Sequence, residues 1–598
     1  MMKLKKGYNY CIVFLLTAIF SLTTTISSYP VSFSDSSLRI PLAGKSKTEL
    51  DRQKSFQREV FLEKCGLSKD TKKPTKILLI QPRLATQKSK PTRLPAGLMS
   101  LASALRDRVF IKQFCDRLGK EEFDFKNYDD CPEFTVQILD LQAEAKDFDL
   151  SVYLEENRPD AVCFTASTPA IDDAAEESLI VENTLPNAVQ IIGGPHASAL
   201  PLETLSRYSF NIVVPGEGIE TLLELLLELR LDRPDLSQVN GLYYNDITGN
   251  AIATLPRKRL MHLDEYPLPA FSVDLLKIDG YEELVNPDGV NAGQAAVLFT
   301  STGCPFGKCI FCASKAVFGR IVDKRSAENI FKEIKYFYDK GFRAFYILDD
   351  LFTLDRKRIE KLGDMIEESG IKIQYSMMTR ADAVNQEVAT DLKKTGCKVA
   401  ALGVESGDQE LLDKVIDKGI ALNKVRSATQ LLKRAGIHVK YFMMVGLPDQ
   451  GWESVRKSAY FILENEPDSM NVAIAMPYPG SDLYKDDRIK ILDESEGYRK
   501  YQHEAEPQLK DKDRINGITE TNVMTNEEIV LARDILADIY QYRYNSDKLG
   551  ELLDELDYLV AAKPISKLVL NEQSGLKHDK EGINNVLLKR QFRLNRAI

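Results

Sequence analysis

Ala295-Ala-Val-Leu-Phe-Thr-Ser-Thr-Gly-Cys304-Pro-Phe-Gly-Lys-Cys309-Ile-Phe-Cys312 is the stretch from which the rest of this 598-residue chain can be read. Its opening residues form a continuous apolar run closed by a Ser-Thr-Gly turn, the pattern of a buried strand. Three cysteines then fall within nine residues. Thiolates this close in sequence can converge on one small inorganic cluster. A [4Fe-4S] cluster held by three cysteines leaves one iron without a protein ligand, and that iron can chelate a substrate or cofactor. Structural zinc asks for a fourth Cys or His. None is near, for the closest upstream histidine is His262 and the next cysteine is Cys397. Three unliganded thiols acting as small hydrophobes are a third reading. The ligand rules favour the cluster.

Downstream, apolar runs alternate with longer helical patterns. Phe342–Leu348 ends at Asp349-Asp350, Ile373–Met378 at Thr379-Arg380, and Val399–Leu402 at Gly403-Val-Glu405-Ser-Gly407. Val439–Met444 ends at Val445-Gly446-Leu-Pro448, and Met470–Ala475 at Met476-Pro-Tyr-Pro-Gly480. With Ala295–Thr300 these make six strands, which predicts a partial (β/α)6 barrel with its site at the carboxyl ends of the strands. Upstream, Ile77–Ile80, Val136–Leu141, Ala161–Thr165, Val189–Ile192 and Asn211–Val214 are strand-like, with helices over Pro95–Leu105, Ile171–Ile180 and Glu220–Leu229. Ser167 follows the third strand, Gly193-Gly194-Pro-His196 the fourth, and Pro215-Gly216-Glu217-Gly218 the fifth. Alternation with Gly-rich turns predicts a Rossmann-like, doubly wound parallel sheet whose ligand lies outside those strand ends. Tight turns with no ligand are the plain alternative.

The chain divides into a signal-like leader (1–30), a polar linker with one helical stretch at Leu50–Cys65 (31–73), the doubly wound domain (74–235), a Pro-punctuated connector (236–290), the barrel (291–490) and a helical C-terminal region (491–598). That last region has helical patterns at Asn526–Tyr544 and Leu549–Val560, expected to cap the barrel or its partner domain. A net charge of −9 argues against a nucleic-acid backbone binder, which would normally show a basic face. Nine scattered cysteines are not a disulfide framework and suit a reducing compartment. Lys3, Lys5 and Lys6 before the apolar run Cys11–Leu22 have the form of a signal peptide or short membrane anchor. The reducing-compartment reading favours a cytoplasmic protein, and this segment leaves membrane association, export and organelle targeting open. No nucleophile elbow and no Walker-type phosphate loop is present.

The cysteine stretch resembles the cluster loop of the radical S-adenosylmethionine (SAM) superfamily, with four residues between the first two cysteines where the family usually has three. Phe311, before the last cysteine, fits the pattern. The turns at Gly193-Gly194-Pro-His196 and Gly216-Glu217-Gly218, and the connector Leu263–Ala270, resemble the cobalamin (B12)-binding domain that precedes many such barrels. The loop after the first strand, Gln81–Arg93, lacks the Asp-x-His-x-x-Gly of domains that supply an axial imidazole. Residues 107–131 exceed the usual pattern and read as an insertion. The resemblance implies Cys304, Cys309 and Cys312 on a [4Fe-4S] cluster. It implies Glu405, Arg380, Asp349, Asp350, Gly446 and Pro448 around SAM. Ser167, Gly193, Gly194, Gly216 and Glu217 would lie around cobalamin held without a histidine lower ligand. Ordinary loop charges are the alternative for the acids and Arg380, and His196 reads as a loop or pocket residue. The implied reaction is reductive cleavage of SAM for modification of an unactivated carbon, foremost its methylation. Cyclisation or rearrangement, and a decayed iron–sulfur scaffold, are the alternatives. The implied partners are an external electron donor such as flavodoxin or ferredoxin, and a small-molecule, lipid or peptide substrate.

Overall fold

The apolar runs become the central strands of two parallel sheets. The computed structural model describes residues 75–562, except 85–89, 92, 232–233, 247, 286–290, 493–497 and 499–517. The leader, the linker helix at Leu50–Cys65 and residues 563–598 lie outside the described residues. Among the described residues no helix is long and apolar enough to cross a membrane.

The first sheet contains β1 (Thr75–Gln81), β2 (Phe134–Asp140), β3 (Ala161–Thr165), β4 (Val189–Gly193), β5 (Ile212–Val213), β6 (Tyr243–Asn245) and β7 (Ala251–Ala253). Its order is β2-β1-β3-β4-β5-β6-β7, with β1 to β5 parallel and β6 and β7 antiparallel. Such an order reverses between β1 and β3, which opens a crevice at their carboxyl ends. Ile77, Leu78, Leu79 and Ile80 are all at most 1% exposed, as continuous runs covered on both faces should be. Residues 107–131 form a helix, Arg108–Leu118, capped at its start by Asp107, and two short turns. Phe110, Ile111 and Phe114 pack that helix into the core of the same sheet.

The second sheet contains β8 (Glu283–Val285) and β9 (Asn291–Leu298); past a two-residue hairpin of β10 (Ser301–Thr302) and β11 (Asp323–Lys324) it continues with β12 (Ala344–Ile347), β13 (Gln374–Thr379), β14 (Cys397–Glu405), β15 (His438–Val445) and β16 (Ser469–Ile474). Its order is β16-β15-β14-β13-β12-β9-β8. Six strands are parallel and neighbour one another in chain order, the arrangement of an open (β/α)6 barrel. The stretch between the sheets is more than a linker, since it lends β6 and β7 to the first sheet and β8 to the second. These strands have three residues each, too few for any period to show.

At the C-terminal end, β17 (Ile489–Ile491) and β18 (Thr519–Thr521) form a hairpin. Helix Asn526–Gln541 starts at a Thr525/Glu528 capping box and buries Ile529, Leu536 and Ile539. Trp452 Nε1 donates to Glu528 Oε1 at 3.2 Å, so the tryptophan packs the tail helix against helix Trp452–Asn465.

Candidate active site

The cysteine stretch leaves β9 through Phe299-Thr300-Ser301, and a shell of buried charges grips that root. Asp349, 1% exposed at the end of β12, accepts the Thr300 N–H and the Ser301 hydroxyl, each at 2.6 Å, and the Thr300 hydroxyl as well. Arg358 lies 3.7 Å from Asp349 and donates to the Thr300 carbonyl at 2.8 Å. Arg325 donates to the Phe299 carbonyl at 3.0 Å and pairs with Glu333 at 2.5 Å. Glu333 in turn accepts the Ala270 N–H at 3.1 Å, which ties the connector to the barrel. Buried charges persist only when paired and hydrogen-bonded in this way. Asp349 therefore spends its oxygens on the loop root.

Beyond the root, the segments that follow β13, β14 and β16 clamp the loop. Ile310 donates its N–H to the Ile416 carbonyl at 3.1 Å and accepts the Leu483 N–H at 2.8 Å. The Arg380 guanidinium stacks 3.6 Å over the Phe306 ring. It forks onto Asp382 at 3.1 and 2.9 Å and donates to the Lys418 carbonyl at 2.9 Å. Arg380 thus braces the loop. Glu405 lies at φ 66°, just past a register break in β14 that re-aims its side chain. Its Oε1 accepts from Lys418 Nζ at 2.8 Å, and both residues are 7% exposed. Lys418 Nζ also stands 6.0 Å from the Phe311 ring centre. Sequence reasoning missed Lys418. Its only signal is a lysine beside the apolar positions of Leu411-Leu-Asp-Lys-Val-Ile-Asp-Lys418. Asp350 accepts the Ser314 hydroxyl at 2.6 Å, just after the last cysteine.

The three cysteines are half-buried and free. Partial burial raises the Cys309 thiol, and Lys418 opposes the rise. Burial pushes Cys312 up to about 11; the Ser314 N–H opposes this, while Asp350, Cys309 and Cys304 add to it. Both are therefore protonated at neutral pH and lose their protons when they bind metal. Among the described residues no three His, Cys, Asp or Glu side chains close round one point as a single ion's shell. A cubane needs a wider set, because each thiolate takes a different iron. The donor set fits it.

The glycine turns of the first sheet share the carboxyl ends of their strands. A Cβ on Gly194 would lie 2.6 Å from Thr165 Oγ1 and 2.8 Å from the Ala166 nitrogen, so only glycine lets the β4 turn close on the β3 turn. Ser167 is half-exposed at the start of a turn, and Gly193 accepts the Ala166 N–H at 3.2 Å. The Gly216 N–H donates to Ser198 Oγ at 2.8 Å, and Glu217 pairs with Arg259. His196 is 4% exposed; its Nδ1 meets Thr168 Oγ1 at 3.2 Å, while its Nε2 has no hydrogen-bond partner among the described residues. A glycine-walled strand end with an orphaned buried nitrogen fits a large polar ligand such as cobalamin.

Burial lowers the His196 pKa to about 4, partly offset by Asp172. A depressed histidine contributes stability that is present above its unfolded value near 6.5 and lost as pH falls through 4. The stability gap between wild type and His196→Gln is expected to shift against the wild type by about 2 kcal/mol between pH 7 and pH 4 in urea titrations. A gap that does not change with pH would refute this.

Gly446 and the buried Pro448 form the turn after β15. Gly446 has φ 77°, and a Cβ there would lie 2.8 Å from Ile529 Cγ2 of the tail helix. Gly446→Ala is expected to cost about 1–3 kcal/mol by overpacking. Amide exchange should speed up first in helix Asn526–Gln541; uniform loosening would count against this packing role.

Two family models match the chain, the Radical SAM superfamily over residues 298–462 and the B12 binding domain over residues 83–226. The chain is 33% identical to a protein named "uncharacterized methyltransferase PH0819" from Pyrococcus horikoshii, over 59% of this chain and 75% of that protein. It is 30% identical to a hopanoid C-3 methylase from Methylococcus capsulatus, over 58% of this chain and 64% of that protein, so it spans less than two thirds of that relative. A solved structure of the radical SAM methyltransferase TsrM from Kitasatospora setae, with cobalamin and a [4Fe-4S] cluster bound, superposes with a TM-score of 0.56. That likeness covers 82% of this chain and 100% of TsrM at 15% identity, and it concerns the fold.

Proposed function

The chain belongs to the radical SAM superfamily, in the group that carries a B12-binding domain, and from that premise we propose that it methylates an unactivated carbon of a small-molecule, lipid or peptide substrate. The observation that carries this reading is the cysteine loop, braced at a barrel mouth and joined to the glycine turns of the first sheet through the Glu217–Arg259 pair. When bound, the cluster supplies the electron that splits SAM into methionine and a 5′-deoxyadenosyl radical, and cobalamin carries the methyl group delivered to carbon.

The chain's own residues have narrower tasks. Cys304, Cys309 and Cys312 would hold the cluster. Asp349, Arg358 and Arg325 fix the loop root, and Arg380 with Phe306 keeps the loop against the strand ends. Glu405 and Lys418 present a paired acid and cation beside the loop, suited to the ribose hydroxyls and the amino-acid part of SAM. Asp350, Gly446 and Pro448 border the same mouth. Ser167, Gly193, Gly194 and Gly216 give backbone access to cobalamin. The apolar barrel around them excludes water from a radical. An external one-electron donor such as flavodoxin or ferredoxin completes the cycle.

The test is anaerobic turnover of reconstituted, cobalamin-loaded protein with SAM, reductant and candidate substrates. A methyltransferase forms both 5′-deoxyadenosine and S-adenosylhomocysteine, because one SAM gives the radical and another the methyl group. Formation of 5′-deoxyadenosine alone with every substrate that is consumed would replace methylation by cyclisation or rearrangement.

A further inference from the structure

Arg259 touches both cofactor loops. Its guanidinium pairs with Glu217, in the glycine turn after β5, and with Asp323 of β11, and it donates to Thr302 Oγ1 at 3.3 Å. Thr302 and Asp323 face each other in the two-strand hairpin that closes the base of the cysteine loop. The backbone beside Arg259 is itself held: the Leu260 N–H donates to Glu220 at 3.0 Å and the Met261 N–H at 2.9 Å. His262 Nε2 adds a contact to Asp323 at 3.3 Å.

A second contact joins the same parts independently. Short helix Lys315–Phe318 follows the last cysteine. A Cβ on Gly480 would lie 2.7 Å from Ala316 Cβ and 3.2 Å from Ala199 Cβ, so the turn after β16, this helix and helix Pro195–Ala199 meet through their smallest residues. The cysteine loop thus leans on the first sheet through one packed contact and one charged one. The packed contact sets distance. The charged one can transmit a change, because a planar fork that serves two carboxylates cannot keep both bonds if either carboxylate moves.

We infer that Arg259 is a positioning residue that couples the cobalamin turn to the cluster loop, so that filling the first sheet's site stiffens the base of the cysteine loop. The inference rests on the cobalamin reading of that site. Cobalamin seated against Gly216 and Glu217 would hold that carboxylate still, and through Arg259 would hold Thr302 and Asp323. Without the fork, the protein would still cleave SAM but would deliver methyl groups poorly, because a small misplacement of reacting groups costs far more rate than binding.

The experiment compares hydrogen–deuterium exchange of reconstituted wild type with and without hydroxocobalamin, beside Arg259→Met, Arg259→Lys, Glu217→Gln and the double variant Arg259→Met/Glu217→Gln. In the wild type, cobalamin is expected to slow exchange at residues 301–302 and 323–324. Arg259→Met is expected to retain iron and cobalamin yet lose that protection. Its ratio of S-adenosylhomocysteine to 5′-deoxyadenosine should fall about tenfold. Arg259→Lys, a cation without a fork, should not restore the protection. The double variant should add nothing to either single one, as members of one coupled unit do not add. Wild-type protection in Arg259→Met, or additivity in the double variant, overturns the inference while the cobalamin reading stands. Loss of fold in both single variants makes Arg259 a stability element and overturns it too. A wild type that retains no cobalamin overturns both.

Discussion

Cys304→Ala, Cys309→Ala and Cys312→Ala are each expected to abolish the iron–sulfur absorption of the reconstituted protein and to reduce 5′-deoxyadenosine to the level of the reagent blank. The effect is expected to be complete because the three thiols come from one loop and, among the described residues, the remaining cysteines are buried. The next cysteine, Cys397, is 1% exposed within β14, and burial holds its thiol up at about 12. Fold should survive, because the loop root depends on Asp349, Arg358 and Arg325 rather than on the metal. The measurement is iron per chain with far-ultraviolet circular dichroism beside it. A single-cysteine variant that keeps four irons and turns over SAM would remove the assignment of that cysteine; three such variants would remove the cluster.

Lys418→Met is expected to cost about 3–5 kcal/mol, because it leaves the Glu405 carboxylate buried without its partner. The same logic makes Lys418→Met/Glu405→Gln far milder than either loss suggests, as a neutral pair of similar shape strands no charge. The urea midpoints of the two single variants and the double variant form a cycle whose coupling should exceed about 1 kcal/mol. Additive midpoints would show that the pair is no unit. Iron uptake is a separate readout. It should fall in Lys418→Met, since the loop loses the ammonium beside Phe311 and Cys309, and it should recover in part in the double variant.

The strands that carry the site were legible because their signal is local. A parallel strand covered on both faces reads as an unbroken apolar run, and Ile77–Ile80 and Ala295–Leu298 are such runs. The cysteines announced themselves by spacing alone. Asp349, Arg380 and Glu405 could be placed at strand ends from the sequence, but their partners were not readable there. Asp349 meets Thr300 across 49 residues and Arg259 meets Asp323 across 64. Nothing local distinguishes an acid that braces a loop from one that greets a ligand. The short strands within the connector were not legible for another reason: β6, β7 and β8 are ordered by the neighbours they pair with rather than by an alternation of their own. Lys418 stayed hidden because a lysine near apolar residues reads as a solvated face until Glu405 is placed 2.8 Å away.

The chain contains a single tryptophan, and the fold has put it at the joint between barrel and tail. Its indole is shielded from water and bonded to Glu528, so its fluorescence should be blue-shifted while the tail helix is seated and move to the red as soon as that helix lifts. The protein therefore carries its own optical gauge. One emission spectrum, free of interference from any other indole, can report whether substrate, Gly446→Ala or denaturant has opened the C-terminal side of the barrel.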